Sequence, residues 1–188
     1  ALTDTRPRAL WIDAIRFQAA DRAVSIRPPA APRNLVGRAG DRSITLHWDA
    51  VGDPLLRGYH VYRGPEENGP FTELAGSPVP IRSIADVQVE SGKTYFYHVK
   101  AANDHSIGPA SVPLRLTARP FHSDDDFLEY LQATAFDYFW YEANPENGLV
   151  RDRSQPWSAA SIAATGFGPT AIGIGIDHGW ITREAGRE

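Results

Sequence analysis

The chain has 188 residues, the length of one or two domains, and is 42% hydrophobic with five Trp, seven Tyr and eight Phe, a composition that buries a core and excludes wholesale disorder. A net charge of −4 without a basic run excludes the electrostatic footprint of a nucleic-acid binder, and no apolar stretch approaches the ~20 residues of a membrane span. The absence of Cys excludes a disulfide framework and thiolate metal sites.

Residues 1–27 contain one alternating stretch, from Ala9 to Phe17, that reads as a single strand. A single strand cannot bury its own apolar face. It is therefore either an edge strand of the neighbouring domain or the last strand of an upstream module. Its Ile12-Asp13-Ala14-Ile15-Arg16-Phe17 pattern resembles the final strand of jelly-roll carbohydrate-binding modules. The sequence has no Met and begins with Ala, so a processed or excerpted chain is expected.

Between Pro28 and Pro120 the period is two. Ile44, Leu46 and Trp48 alternate with Ser43, Thr45 and His47, the pattern of a half-buried strand. Tyr59 and Val61 mark a second strand, Tyr95, Tyr97, Val99 and Ala101 a third, and Leu114 and Leu116 a fourth. Weaker strands are expected near Leu35, at 71–74 and at 84–89. Turn residues separate them at 52–54, 68–70, 91–92 and at Gly108-Pro109. Seven short strands at this spacing imply a two-sheet sandwich. On this pattern His47, His60 and His98 take outward, exposed positions. The order Pro32…Leu35, Trp48, Gly58-Tyr59-His60-Val61-Tyr62-Arg63, Gly92-Lys93-Thr94-Tyr95 and Val99…Ala101…Asn103 resembles the fibronectin type III family over residues 29–119. The resemblance makes Trp48 the core tryptophan and Tyr95 the tyrosine of the corner motif, both structural.

Residues 121–188 change to helical spacing. Ser123 is an N-cap, and Asp124, Asp125 and Asp126 suit the positive end of a helix, a reading that outweighs a metal site. Phe127, Leu131, Phe136, Phe139 and Trp140 give this helix a wide apolar stripe. It should stop near Asn144-Pro145. A loop over 147–168 comes next. Pro169 then opens a second helix over 170–178, capped by Gly179, although alternation of Ile172, Ile174 and Ile176 with glycine also permits a strand. Thr182 starts a further helix whose first turns run to Glu188, which reads as a helix cut short.

Phe136-Asp137-Tyr138-Phe139-Trp140, residues 142–154, Thr165-Gly166-Phe167-Gly168 and residues 179–184 resemble the start of the glucoamylase-like (glycoamylase) family. The resemblance implies an (α/α) six-hairpin barrel and action on β-glucans such as β-1,2-glucan. The whole then reads as a multi-domain fragment: the end of an upstream module (1–27), an all-β fibronectin type III sandwich (29–119) and α-helical hairpins from the start of the barrel (121–188). It implies a modular glycoside hydrolase, secreted or periplasmic, with an oligo- or polysaccharide partner. The alternative is a non-catalytic binding, spacer or adhesion protein. No cofactor and no metal are implied, and the oligomeric state is left open. In barrels of this kind the loop entering an inner helix lines the sugar face. Arg151, Asp152 and Arg153 are then substrate-binding candidates, with a structural Asp152–Arg153 ion pair as the competing role. Phe167 either stacks on a pyranose or packs in the core. Glu142 and Glu146 read as surface charges, so no catalytic carboxylate pair is assigned and the fragment is expected to be inactive alone.

Overall fold

The computed structural model describes residues 27–144, 147–155 and 157–187. The strand expected at 9–17 lies outside the described residues, as does Glu146.

Eight strands come first: β1 (Val36–Gly40), β2 (Ser43–His47), β3 (Leu56–Gly64), β4 (Thr72–Glu73), β5 (Ser83–Asp86), β6 (Thr94–Asn103), β7 (Ile107–Ala110) and β8 (Leu114–Thr117). They form two antiparallel sheets, β1-β2-β5 and β4-β3-β6-β7, with β8 also pairing β6. The alternating apolar residues meet between the sheets, where Ile44, Leu46, Trp48, Tyr59, Val61, Tyr97 and Val99 are fully buried. Trp48 meets Tyr59 edge to face at 5.3 Å, and the Tyr59 hydroxyl accepts from the Val51 N–H. Tyr95 makes the expected corner contact: its hydroxyl accepts from the Glu90 N–H at 3.0 Å. Asp86 is a buried carboxylate, 3% exposed. Arg63 Nη1 and the Tyr97 hydroxyl both donate to it, which compensates its burial.

Gly108-Pro109 lies within β7, not in a turn, and this adds the eighth strand. A Cβ at Gly108 would stand 2.2 Å from the Pro29 carbonyl oxygen, so glycine is needed there for close approach rather than for chain reversal.

Two helices come after the strands, α1 (Asp124–Glu142) and α2 (Ile162–Asp177), then a 3-10 turn at Ala185–Arg187. Ser123 caps α1 by accepting from the Asp126 N–H. The helix ends at Glu142, three residues before Pro145 and close to the Asn144-Pro145 stop read from sequence. The start of α2 corrects the sequence reading. The helix begins at Ile162 with Ser161 as N-cap, and Pro169 sits inside it. Backbone bonds from Ser161 to Val150 and Asp152 to Ala159 fix the helix start seven residues before Pro169, and these are tertiary constraints that local spacing does not carry. Gly179 does close the helix with φ +69°, and the strand alternative is excluded. Thr182 Oγ1 accepts from the Ala185 N–H, but what it opens is the 3-10 turn.

α1 lies on the outer face of β1-β2-β5. Arg38 grips Asp137 with two hydrogen bonds of 2.8 and 2.7 Å. Arg82 Nη2 donates to the Tyr141 carbonyl at 2.7 Å. His47 stacks on Tyr141 with ring centroids 4.2 Å apart. His47 is thus buried, against expectation, because a helix covers the face that period-two alternation assigns to solvent. His60 pairs with Glu73 across β3 and β4 at 2.6 Å, and His98 is half-buried beside Tyr62 and Phe71, so neither is a plain surface residue. On its other side α1 packs against α2, with Phe136 beneath Gly175 and 5.3 Å from Trp180.

Candidate functional site: the loop between the helices

The loop from Asn147 to Ser161 is tied to both helices. Gly148, at φ +70°, turns the chain so that its N–H reaches the Asn144 carbonyl, while the Asn144 N–H reaches Leu149. Ala143 bridges Val150, and Arg151 bridges Ala160. The Val150 N–H donates to Thr165 Oγ1 of α2 at 3.1 Å. The Tyr138 hydroxyl donates to the Arg151 carbonyl at 2.7 Å. Burial pushes the Tyr138 hydroxyl pKa up, and the negative charges of Glu142 and Asp152 add to this, which keeps it a donor.

Extended residues point alternately to opposite sides. That rule separates the candidates. Arg151 turns toward Glu142, with a charged contact of 3.7 Å, in a cleft of about 450 Å³ that Arg82 and Ala50 of the sandwich also line. Glu142 is buried there at 7% exposure, so it is not the surface charge expected; Arg151 supplies the countercharge that permits this. Asp152 and Arg153 line an adjoining, more open cleft of about 390 Å³ with Gln155, Trp157 and Ser158, and the two clefts meet at Ser158 and Ala160. Their side chains face each other at 3.5 Å, both largely exposed, a weak surface pair. Phe167 is on α2, is 64% exposed among the described residues and lines neither cleft.

Trp157, 78% exposed in the second cleft, was not singled out from sequence. The available signal was a lone aromatic in a segment of turn-forming residues, 154–158. Among the described residues no group of three or more His, Asp or Glu is placed to hold a metal ion, and no helix is long and apolar enough to cross a membrane.

No family model matches the chain. It is 30% identical over 164 residues to an exo beta-1,2-glucooligosaccharide sophorohydrolase (non-reducing end) of Parabacteroides distasonis, a match covering 83% of this chain and 22% of that protein. It is 26% identical over 149 residues to an amylopullulanase of Thermoanaerobacter thermohydrosulfuricus, covering 71% of this chain and 10% of that protein. Among solved structures, a beta-1,2-glucanase from Parabacteroides distasonis superposes with a TM-score of 0.67 at 27% identity, over 85% of this chain and 23% of that one. The chain therefore spans between 10% and 23% of the length of these three relatives. A superposition of 85% is more than the sandwich alone and takes in helical residues as well.

Proposed function

We propose that the chain is a non-catalytic section of a modular glycoside hydrolase acting on β-glucans such as β-1,2-glucan, and that the protein works outside the cytoplasm. In this reading residues 29–119 are the fibronectin type III sandwich. Residues 121–188 begin an (α/α) barrel, and residues 1–27 end an upstream module. One observation carries the reading: a single superposition on a beta-1,2-glucanase runs through the sandwich and the helical part together. A likeness confined to the sandwich would have pointed only to a widely used fold.

The loop is the part that meets glucan. Asp152 and Arg153 offer an acceptor and a planar set of donors to sugar hydroxyls. Arg151, paired to buried Glu142, holds the loop to the end of α1 and presents its remaining donors to the cleft beside the sandwich. Phe167, exposed on α2, is available to a sugar face. Cleaving a glycosidic bond takes two carboxylates about 5–10 Å apart, and these belong to residues of the parent enzyme other than the ones described.

A second reading, a non-catalytic carbohydrate-binding or adhesion protein, draws on the fastening of α1 to the sandwich, which gives the helices a partner without a barrel. Titration of the purified chain with β-1,2-gluco-oligosaccharides, cello-oligosaccharides and malto-oligosaccharides tests the proposal. Saturable binding of the β-1,2-linked series, weakened by Asp152→Ala with Arg153→Ala and unaccompanied by hydrolysis, is the expected result. No binding of that series, or turnover by the chain alone, overturns it.

A further inference from the structure

We infer that Trp157 is the stacking platform of a pyranose-binding subsite at the tip of the 152–159 turn. The inference rests on the glucan reading above and adds to it a residue and a mode of recognition. The turn is closed on itself. The Asp152 N–H donates to the Ala159 carbonyl at 2.9 Å, the Arg153 N–H to Ser158 Oγ at 3.0 Å, and the Ser158 N–H to the Gln155 carbonyl at 3.0 Å. These bonds lie on both sides of Trp157 and tie the ends of the turn together, which lowers the ordering entropy to be lost on binding.

Trp is on average among the most buried side chains, and a ring left 78% exposed forgoes the stabilisation that burial gives. The surroundings say what would cover it. Asp152, Arg153 and Gln155 line the same cleft, so an apolar ring shares it with a carboxylate, a guanidinium and an amide, while the Ser158 hydroxyl is engaged inside the turn with the Arg153 N–H and the Ala159 carbonyl. A pyranose has the matching construction: one face of C–H groups and an equatorial rim of hydroxyls that both donate and accept. The ring covers the face, and the three polar groups serve the hydroxyls. A nucleobase would stack equally well, but its phosphates need cations. Here the one arginine in the cleft already faces a carboxylate, and the chain carries net charge −4. A neutral ligand is favoured. The volume of about 390 Å³ lies at the small end of the range of small-molecule sites, which suits a sugar or two rather than a polymer groove.

The ¹⁵N-labelled 188-residue chain has five Trp indole N–H resonances to track, and Trp157→Phe assigns the relevant one. Titration with β-1,2-gluco-oligosaccharides should move that resonance saturably. Trp157→Ala should weaken binding about tenfold or more without lowering the melting temperature, since the ring is exposed. Trp157→Phe should retain part of the affinity. If Trp157→Ala binds as the unsubstituted chain does while Asp152→Ala with Arg153→Ala is impaired, the platform is wrong and the glucan-contacting loop stands. If no β-1,2-glucan binds at all, both fall. If the Trp157 resonance shifts with protein concentration in the absence of sugar and not with sugar, the ring belongs to a contact between copies and the inference is overturned.

Discussion

Both ring nitrogens of His47 are buried and have no hydrogen-bond partner among the described residues, and the ring lies flat on Tyr141. The groups around it are Arg38 on β1, Arg82 before β5, and Asp137 and Tyr141 on α1. Burial lowers the His47 pKa below its ordinary 6.5, and Arg38 and Arg82 push the same way against an opposing pull from Asp137. With the folded value depressed, the unfolded chain binds the extra proton first. The stability due to neutral His47 is therefore whole above the ordinary pKa and drains away as pH falls through it toward the folded value. Urea midpoints should drop between about pH 7.5 and about pH 5.5, and His47→Phe, which keeps a flat ring on Tyr141, should shrink that drop. An unchanged pH dependence in His47→Phe would assign it to other groups.

At the scale of elements, α2 is a poor helix by composition. It contains Gly166, Gly168, Gly173, Gly175 and Pro169, each unfavourable in a helix interior. Tertiary packing holds it instead, with Gly175 seated on the Phe136 ring and Gly148 to Val150 tied beside it. A Cβ at Gly175 would fall 2.4 Å from Phe136 Cε2, and Phe136 is only 5% exposed, so the ring has little room to retreat. Gly175→Ala should therefore destabilise the helix pair by about 1–3 kcal/mol, although helix propensity alone favours it by roughly 1 kcal/mol. Thermal melts monitored by α-helical circular dichroism decide the sign. A gain in stability would mean the helices separate more easily than this packing implies.

At the scale of the whole molecule, the sandwich and the two helices differ in how much apolar surface they cover. The sandwich encloses its core. The helices leave Phe127, Leu128, Leu131, Phe167 and Ile174 between 44% and 64% exposed among the described residues, the apolar surface that the proposed barrel would cover. The sandwich side of α1 is anchored through Arg38 to Asp137 and Arg82 to the Tyr141 carbonyl, and the other side packs on α2 through Phe136. Amide exchange should be slowest in β6, which pairs with β3, β7 and β8, intermediate in α1 and fastest in α2. Arg38→Ala strands the buried Asp137 carboxylate, and because Arg38 is partly exposed the cost to α1 should be about 2–3 kcal/mol, with β6 unchanged. Equal protection of α1 with and without Arg38 would show that the apolar contacts alone hold it.

The sequence by itself determined the sandwich, because period-two alternation of Ile44, Leu46, Tyr59, Val61, Tyr97 and Val99 allows only one face inward, and a one-residue slip would expose them all. It also determined both ends of α1 and the glycine end of α2, since caps act through bonds only a few residues apart. Tertiary structure decided the rest. His47 and Glu142 are buried by segments distant in sequence: α1 packs over His47, and the interhelical loop supplies Arg151 beside Glu142. The start of α2 was set by backbone bonds from the loop rather than by Pro169. The loop candidates were legible as residue types, but their division between two clefts was not. Neighbouring positions such as Arg151 and Asp152 diverge only once the Arg151–Ala160 bridge fixes the strand, and the same ribbon brings Trp157 beside Asp152. Contacts of that kind depend on where the backbone goes, which no local pattern in this chain encodes.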